Sequence, residues 1–236
     1  MTEPLDDLDM NARDYPNKEA LVDSKNRLTF LQAKQKAERL ALEFIELGLN
    51  KGQVVVVQLP NIIEYFIVRW ALQRAGLVGL YMGMNIRHQE IEFVLNKAKA
   101  MGMVIVAESR GFDYFEMSQE IKAKFPQLKH IFVVGDTIRD GAMSIREIIG
   151  RPLIKEPADN TFAETWVKAG DLSEIRMTSG TTGFPKLVNF TSYFRKLIRG
   201  GELSNRFNVT NKDIFAALAP LTGGGSGPPC KGLAQS

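Results

Sequence analysis

The sequence predicts an α/β protein, built on a mainly parallel sheet with helices on both faces. Two observations support this prediction. Short apolar runs rich in β-branched residues alternate along the chain with segments whose apolar side chains recur at helical spacing. The run Val54–Leu59, between Gly52 and Pro60, has the composition of a strand buried on both faces. Alternating strands and helices are joined by right-handed crossovers, which make neighbouring strands parallel.

The first part of the chain predicts a hairpin and two helices around that strand. Residues 20–22 and 27–29 flank a polar turn, as in a short β-hairpin. Thr29 is placed to cap a first helix, which we expect to end at Gly48. Asn61 is expected to cap a second helix, which ends at Gly76.

The alternation continues to residue 150. Strands are expected at 77–81, 103–107 and 130–134, and helices at 88–98 and 114–124. Ser144 and Glu147 have the spacing of a capping box at the start of a short helix. We therefore interpret residues 1–150 as an N-terminal sheet subdomain.

The remainder of the chain predicts two further parts. Residues 151–174 are polar and irregular in pattern and are interpreted as a connector. Residues 175–236 contain a glycine-rich loop and are expected to begin a second sheet. Within that part, the pattern predicts strands at 175–177, 187–190 and 214–219, and a helix from about 192 to 206.

Composition excludes several classes of protein. With 236 residues and 44% hydrophobic content, the chain can bury a sizeable core, but its apolar runs are too short to cross a bilayer. Cys230 is the single cysteine and there are two histidines, which argues against disulfides and zinc. The net charge is +3 and the basic residues lack interleaved aromatics, so nucleic acid is not an expected partner. A soluble cytoplasmic protein is the expectation.

The most informative segment is Met-Thr-Ser-Gly-Thr-Thr-Gly-Phe-Pro-Lys at residues 177–186. Its two glycines let the backbone turn tightly and approach a ligand. Four hydroxyl side chains add hydrogen-bond donors, and Lys186 adds a positive charge. This combination predicts a polyphosphate site, with a Thr/Gly-rich surface hairpin as the alternative.

The spacing of this segment excludes two common phosphate loops. A Walker loop needs Gly-Lys-Ser/Thr opening a helix, whereas Pro185 precedes Lys186 here and Leu187 follows it. A dinucleotide fingerprint needs G-x-G-x-x-G, which neither this run nor the glycine-rich run at 223–228 supplies.

The run resembles the phosphate loop T-S-G-T-T-G-x-P-K of the adenylate-forming (AMP-dependent) synthetases and ligases. Six other segments are similar to the same family, in the same order along the chain. They are residues 15–21, 28–30, 52–61, 75–78, 85–87 and 213–221. The resemblance covers essentially the whole chain.

The resemblance implies a chemistry and a set of site residues. A carboxylate attacks the α-phosphate of ATP, pyrophosphate leaves, and a thiol, most often that of coenzyme A, then takes the acyl group from AMP. Lys186 would neutralise the departing pyrophosphate, and Thr181 would also contact Mg²⁺. The β- and γ-phosphates would be held by Thr178, Ser179, Gly180, Thr181, Thr182, Gly183 and Lys186. The candidates for the wall of the acid pocket are Thr222, Gly223 and Gly224, with a plain glycine-rich turn as the alternative.

The chain also departs from the family pattern. Leu187 replaces the usual glycine after the loop lysine, and Thr191-Ser192 stands where a Thr-His pair is usual. Thr222 and the glycines after it replace an aromatic residue and a histidine, which leaves the identity of the carboxylic acid open.

The sequence contains no Y-G-x-T-E segment, ribose-binding aspartate or adenylation lysine of the family pattern. We therefore expect the N-terminal portion of a ligase, inactive by itself, whose partners are a small carboxylic acid, ATP and coenzyme A. The other hypothesis is a non-enzymatic nucleotide-binding or scaffold protein that retains the fold.

Overall fold

The structure, a computed structural model, describes residues 7–135, 139–153, 157, 161–178, 185–192, 210 and 212–222. The helices are α1 (Asp7–Asp14), α2 (Phe30–Glu46), α3 (Ile63–Arg74), α4 (His88–Ala98), α5 (Tyr114–Lys124) and α6 (Ile145–Gly150). The strands are β1 (Glu19–Val22), β2 (Arg27–Thr29), β3 (Val54–Gln58), β4 (Val78–Tyr81), β5 (Gly102–Val106), β6 (Glu108–Ser109), β7 (Phe112–Asp113), β8 (His130–Val134), β9 (Met143–Ser144), β10 (Leu172–Thr178) and β11 (Lys186–Thr191).

One seven-stranded sheet organises the described residues, in the order β11-β10-β4-β3-β5-β8-β9. Every neighbouring pair is parallel except β10 and β11, which are antiparallel. The two remaining pairs, β1-β2 and β6-β7, are small antiparallel hairpins. The predicted mainly parallel α/β fold is confirmed.

Helices cover both faces of this sheet. From β3 the chain passes to β4, the neighbour of β3 on one side. It then crosses back over β3 to β5, the neighbour of β3 on the other side. Because such crossovers are right-handed, the reversal of direction puts α3 on one face and α4 with α5 on the other. The contacts agree, since α2 packs against α1, α3 and α6, whereas α4 packs against α5.

The core is formed where α2 and the central strands meet. All five residues of β3 are buried, as expected of a strand covered on both faces. Phe44 of α2 is fully buried, and its ring meets the Phe132 ring of β8 edge-on at 5.0 Å between centroids. Thr29 caps α2 through a capping box with Gln32, as predicted.

The predicted cap of α3 is wrong. The helix begins after Ile62, which provides no side-chain cap, and Asn61 hydrogen-bonds elsewhere. The first-turn N–H of Ile63 instead donates to Asp23 Oδ2 at 3.1 Å. Asp23 lies in the turn between β1 and β2, about forty residues earlier, so the cap comes from a tertiary contact that sequence spacing does not reveal.

Asp23 makes the stability of α3 depend on pH. Burial alone would raise the pKa of Asp23, but three backbone N–H groups that donate to its carboxylate outweigh burial and hold its pKa below the usual value. The stabilisation that Asp23 gives to α3 is therefore complete above about pH 4, the pKa of this carboxyl in the unfolded chain. It is lost as the pH falls through the lower pKa that Asp23 has in the folded protein.

We expect Asp23→Ala to lower the free energy of unfolding by about 1 kcal/mol at pH 7, since it removes a helix cap. The difference in the free energy of unfolding between this variant and wild type should become smaller when urea unfolding is repeated near pH 3. Asp140→Ala, at an exposed site, is the control. A difference that stays constant between the two pH values would show that the carboxylate charge is not what stabilises α3.

Two expectations for the last part of the chain are wrong. Strands β10 and β11 join the main sheet through β4, so they do not begin a second sheet. Residues 214–219 form no strand, because Ile214 and Leu218 are 96% and 93% exposed and pair with no described strand. The predicted helix at 192–206 lies outside the described residues, apart from Ser192.

Candidate functional site

The candidate phosphate loop connects two paired strands. Thr178, the last residue of β10, lies directly opposite Lys186, the first residue of β11. The loop at 179–185 is therefore the connection of a β-hairpin and does not open a helix, as predicted. Both Thr178 and Lys186 are exposed, so a hydroxyl and an ammonium group flank the two ends of the loop.

The hairpin extends past the carboxyl end of the neighbouring parallel strand. Strand β10 runs parallel to β4, with Arg176 opposite Tyr81, the last residue of β4. Thr178 thus extends two residues beyond the carboxyl end of β4. Ligands of open α/β sheets bind outside the carboxyl ends of the strands, which is where this loop lies.

The strand order reverses between β3 and β5, and ligands of open α/β sheets bind at the carboxyl ends of such strands. Gln58, fully buried at the end of β3, donates from Nε2 to the carbonyl oxygens of Gly83 at 2.9 Å and Ile86 at 3.0 Å. These bonds tie the loop that follows β4 to the end of β3. The hairpin is the candidate site because it carries the exposed side chains of Thr178 and Lys186.

A buried group of charges anchors the hairpin strand. Glu174 of β10, 1% exposed, accepts from Arg176 on its own strand and from Arg69 of α3 at 3.4 Å. The Arg176 guanidinium carbon also lies 5.9 Å from the centre of the Phe190 ring on β11. Helix α3 and both strands of the hairpin therefore meet at one ion network.

The candidate acid-pocket segment is held at the start of α3. Asn61 Nδ2 donates to the carbonyl oxygens of Ala217 and Ala219, each at 2.9 Å. The Leu221 N–H donates to Asn61 Oδ1 at 3.1 Å, and the Tyr65 hydroxyl donates to the Leu221 carbonyl at 3.1 Å. Leu221 is buried, which fixes the backbone directly before the candidate residue Thr222.

Helix α3 thus contacts both candidate segments, the hairpin strand β10 and the segment before Thr222. Tyr65 and Arg69 are four residues apart, so they lie on the same helix face, separated by about 6 Å along the axis. Tyr65 holds the segment before Thr222, whereas Arg69 holds β10 before Thr178.

The structure describes Thr178, Lys186 and Thr222 among the predicted site residues. The others lie outside the described residues, and their roles stay predictions: Ser179, Gly180, Thr181, Thr182, Gly183, Gly223 and Gly224. Within the described ranges, no group of three His, Cys, Asp or Glu side chains could hold a metal ion, and no helix is long and apolar enough to span a membrane.

The sequence interpretation missed Asn61, Tyr65 and Glu174 as anchors of this site. The sequence pattern predicts Asn61 as a helix cap and therefore does not indicate this contact. Glu174 lies in the predicted connector, directly before the predicted strand at 175–177, so the sequence pattern does not indicate that its carboxylate is buried and paired.

A mainly parallel α/β sheet with a polar hairpin beyond the carboxyl ends of its strands places this chain in the class of α/β proteins that bind ligands at that end of the sheet. The chain belongs to the AMP-binding enzyme family, whose pattern matches residues 8–222.

Individual relatives agree with this family. The chain is 29% identical over 217 residues to 2-hydroxy-7-methoxy-5-methyl-1-naphthoate–CoA ligase of Streptomyces carzinostaticus, a match that covers 89% of this chain and 38% of the relative. It is 30% identical over 212 residues to 2,3-dihydroxybenzoate-AMP ligase of Bacillus subtilis (strain 168), covering 89% and 37%. The chain therefore spans well under half the length of these relatives.

A solved structure shows the same fold. Acetoacetyl-CoA synthetase from Streptomyces lividans superimposes with a TM-score of 0.79 at 19% identity, over 92% of this chain and 34% of that one.

Proposed function

We propose that this chain is the part of an adenylate-forming ligase that binds ATP phosphates and a carboxylic acid. The acid is activated as an acyl-adenylate and transferred to a thiol, with coenzyme A as the first choice. The observation that supports this most is that the exposed residues Thr178 and Lys186 lie opposite each other on the two paired strands that flank the loop. Both relatives described above are named for aromatic acids, which favours an aromatic acid over a fatty acid.

The proposed chemistry depends on charge and position. A carboxylate oxygen attacks the α-phosphorus of ATP, and the bond to the pyrophosphate oxygen breaks. Because negative charge accumulates on the departing pyrophosphate, Lys186 is proposed to stabilise it. Loop hydroxyls and backbone N–H groups would donate to the β- and γ-phosphates, as expected of a hairpin with exposed donors at its ends.

Mg²⁺ needs few protein ligands, so the Thr181 hydroxyl alone is proposed to hold it, and the ion would supply positive charge beside the phosphates. The wall of the acid pocket is proposed to be formed by Thr222, Gly223 and Gly224.

We further propose that these 236 residues do not complete the reaction alone, because the family's adenine- and ribose-binding motifs are not found in this sequence.

Replacing Lys186 tests the proposal. We expect Lys186→Ala to weaken the affinity for pyrophosphate and for ATP by roughly tenfold or more, because a charge-assisted hydrogen bond contributes about 1.5–3 kcal/mol. The melting temperature should hardly change, since the side chain is exposed. Titration calorimetry with millimolar pyrophosphate would measure the affinity.

Lys129→Ala is the matched control, because Lys129 is exposed at the opposite, amino end of β8. It should bind pyrophosphate as wild type does. Equal titrations for Lys186→Ala and wild type would refute the phosphate assignment, and a large loss of melting temperature would make Lys186 a structural residue.

A further inference from the structure

The side chain of Asn61 hydrogen-bonds to backbone groups of the segment at 217–221, as a neighbouring strand would. It satisfies two carbonyl groups and one N–H of that segment, three backbone groups in five residues. The same segment pairs with no described strand, and Leu218 within it is 93% exposed. The hydrogen bonds to Asn61 therefore help to set the course of this segment.

Tyr65 supplies a rigid second anchor. It is 1% exposed, and its ring lies 5.6 Å from the ring of Phe66 and 5.5 Å from that of Tyr81, centroid to centroid. A hydroxyl on a ring packed this way has little freedom. Its bond to the Leu221 carbonyl therefore fixes that peptide relative to the sheet.

Both anchors lie at the edge of the sheet where the phosphate loop projects. Asn61 follows the carboxyl end of β3 by three residues, and the loop lies beyond the carboxyl end of β10, which runs in the same direction. Asn61 is also free for this contact, because Asp23 caps α3 in its place.

We propose that Asn61 and Tyr65 are positioning residues for the carboxylic acid. They hold residues 217–221 so that Thr222 meets the acid at the carboxyl end of the sheet, beyond which the strand β10 ends at Thr178. This inference rests on the proposed function. Displacing a reacting group by about 1 Å can cost on the order of a hundredfold in rate, so such a hold has a functional consequence.

The test compares three variants with one control. Asn61→Ala removes all three bonds, Asn61→Asp keeps the acceptor for Leu221 N–H but loses both donors, and Tyr65→Phe removes only the hydroxyl. The control is Asn50→Ala, because Asn50 Nδ2 bonds within its own turn, to the Gly48 carbonyl.

Two measurements are made on the whole chain. Hydrogen–deuterium exchange follows the backbone at 216–222. Ligand-observed NMR gives the affinities for pyrophosphate and for the tightest binder among 2,3-dihydroxybenzoate, benzoate and octanoate.

We expect exchange at 216–222 to rise about tenfold or more in Asn61→Ala, since three backbone groups lose their hydrogen-bond partner. Acid affinity should fall about tenfold by the same reasoning, with pyrophosphate affinity unchanged. Asn61→Asp should resemble Asn61→Ala, Tyr65→Phe should show a smaller effect in the same direction, and Asn50→Ala should match wild type. A selective loss of acid binding is a result that general destabilisation does not produce.

Three results would overturn the inference. The first is unchanged exchange at 216–222 in both Asn61 variants. The second is a proportional loss of acid and pyrophosphate affinity, which would make the contact merely structural. The third is wild-type acid affinity in the Asn61 variants, which removes the positioning role and leaves the proposed function intact. If wild type binds pyrophosphate but none of the acids, the proposed function fails, and the inference with it.

Discussion

Replacing Glu174 with alanine should lower the free energy of unfolding by about 3–5 kcal/mol, because it removes a buried carboxylate that pairs with two mostly buried guanidinium groups. Arg69 and Arg176 have side chains only 9% and 11% exposed, and both pair with this carboxylate. Removing it places two guanidinium groups near each other in a poorly solvated region. Urea unfolding of wild type and variant at pH 7 would measure the difference.

The matched control for this experiment is Glu164→Ala, since Glu164 is exposed and its removal should change stability by less than about 0.5 kcal/mol. A second variant isolates the role of charge. Replacing Arg69, Glu174 and Arg176 together by apolar residues of similar volume should be far less harmful than Glu174→Ala alone. If the triple variant is as unstable as the single one, packing rather than unpaired charge explains the loss.

Gly76→Ala should be comparably damaging, for a steric reason. Gly76 follows α3 with φ of +70°, a conformation that costs a residue with a Cβ about 1–2 kcal/mol. An added Cβ would also lie 2.2 Å from the Thr165 carbonyl oxygen and 2.9 Å from Lys51 Cγ. The chain must shift to relieve this overlap, at a further cost of about 1–3 kcal/mol.

Gly48→Ala separates the two contributions. Gly48 has φ of +77° but nothing within 4 Å of an added Cβ, so only the conformational cost applies. Thermal unfolding should therefore show a clearly larger drop in melting temperature for Gly76→Ala than for Gly48→Ala. Equal drops would mean that the connector around Thr165 moves aside freely and does not support the turn after α3.

The regular elements were predictable because their signals are local. Helices α4 and α5 and strand β8 have the bounds expected from apolar periodicity. The candidate phosphate loop lies between two strands, as the apolar runs before and after it indicated.

The tertiary contacts were not predictable from local pattern. Asn61 has the residue type and position of a helix cap, yet an aspartate from a distant hairpin occupies that role. Nothing local distinguishes a strand that joins the main sheet, as β10 does, from one that begins another. The apolar run at 214–219 has strand character, but a strand also needs a partner, and sequence spacing does not specify one.

Strand β11 has one neighbour, β10, among the described strands, so it is the edge strand of the sheet in the part of the chain that the structure describes. Such an edge can pair with another copy of the chain, and Val188, 38% exposed, adds apolar surface to it. Lysines on edge strands oppose this aggregation, and Lys186 stands at the start of this one. One positive charge would thus serve both ligand affinity and solubility. Protein concentration should accordingly be held constant whenever Lys186 variants are compared.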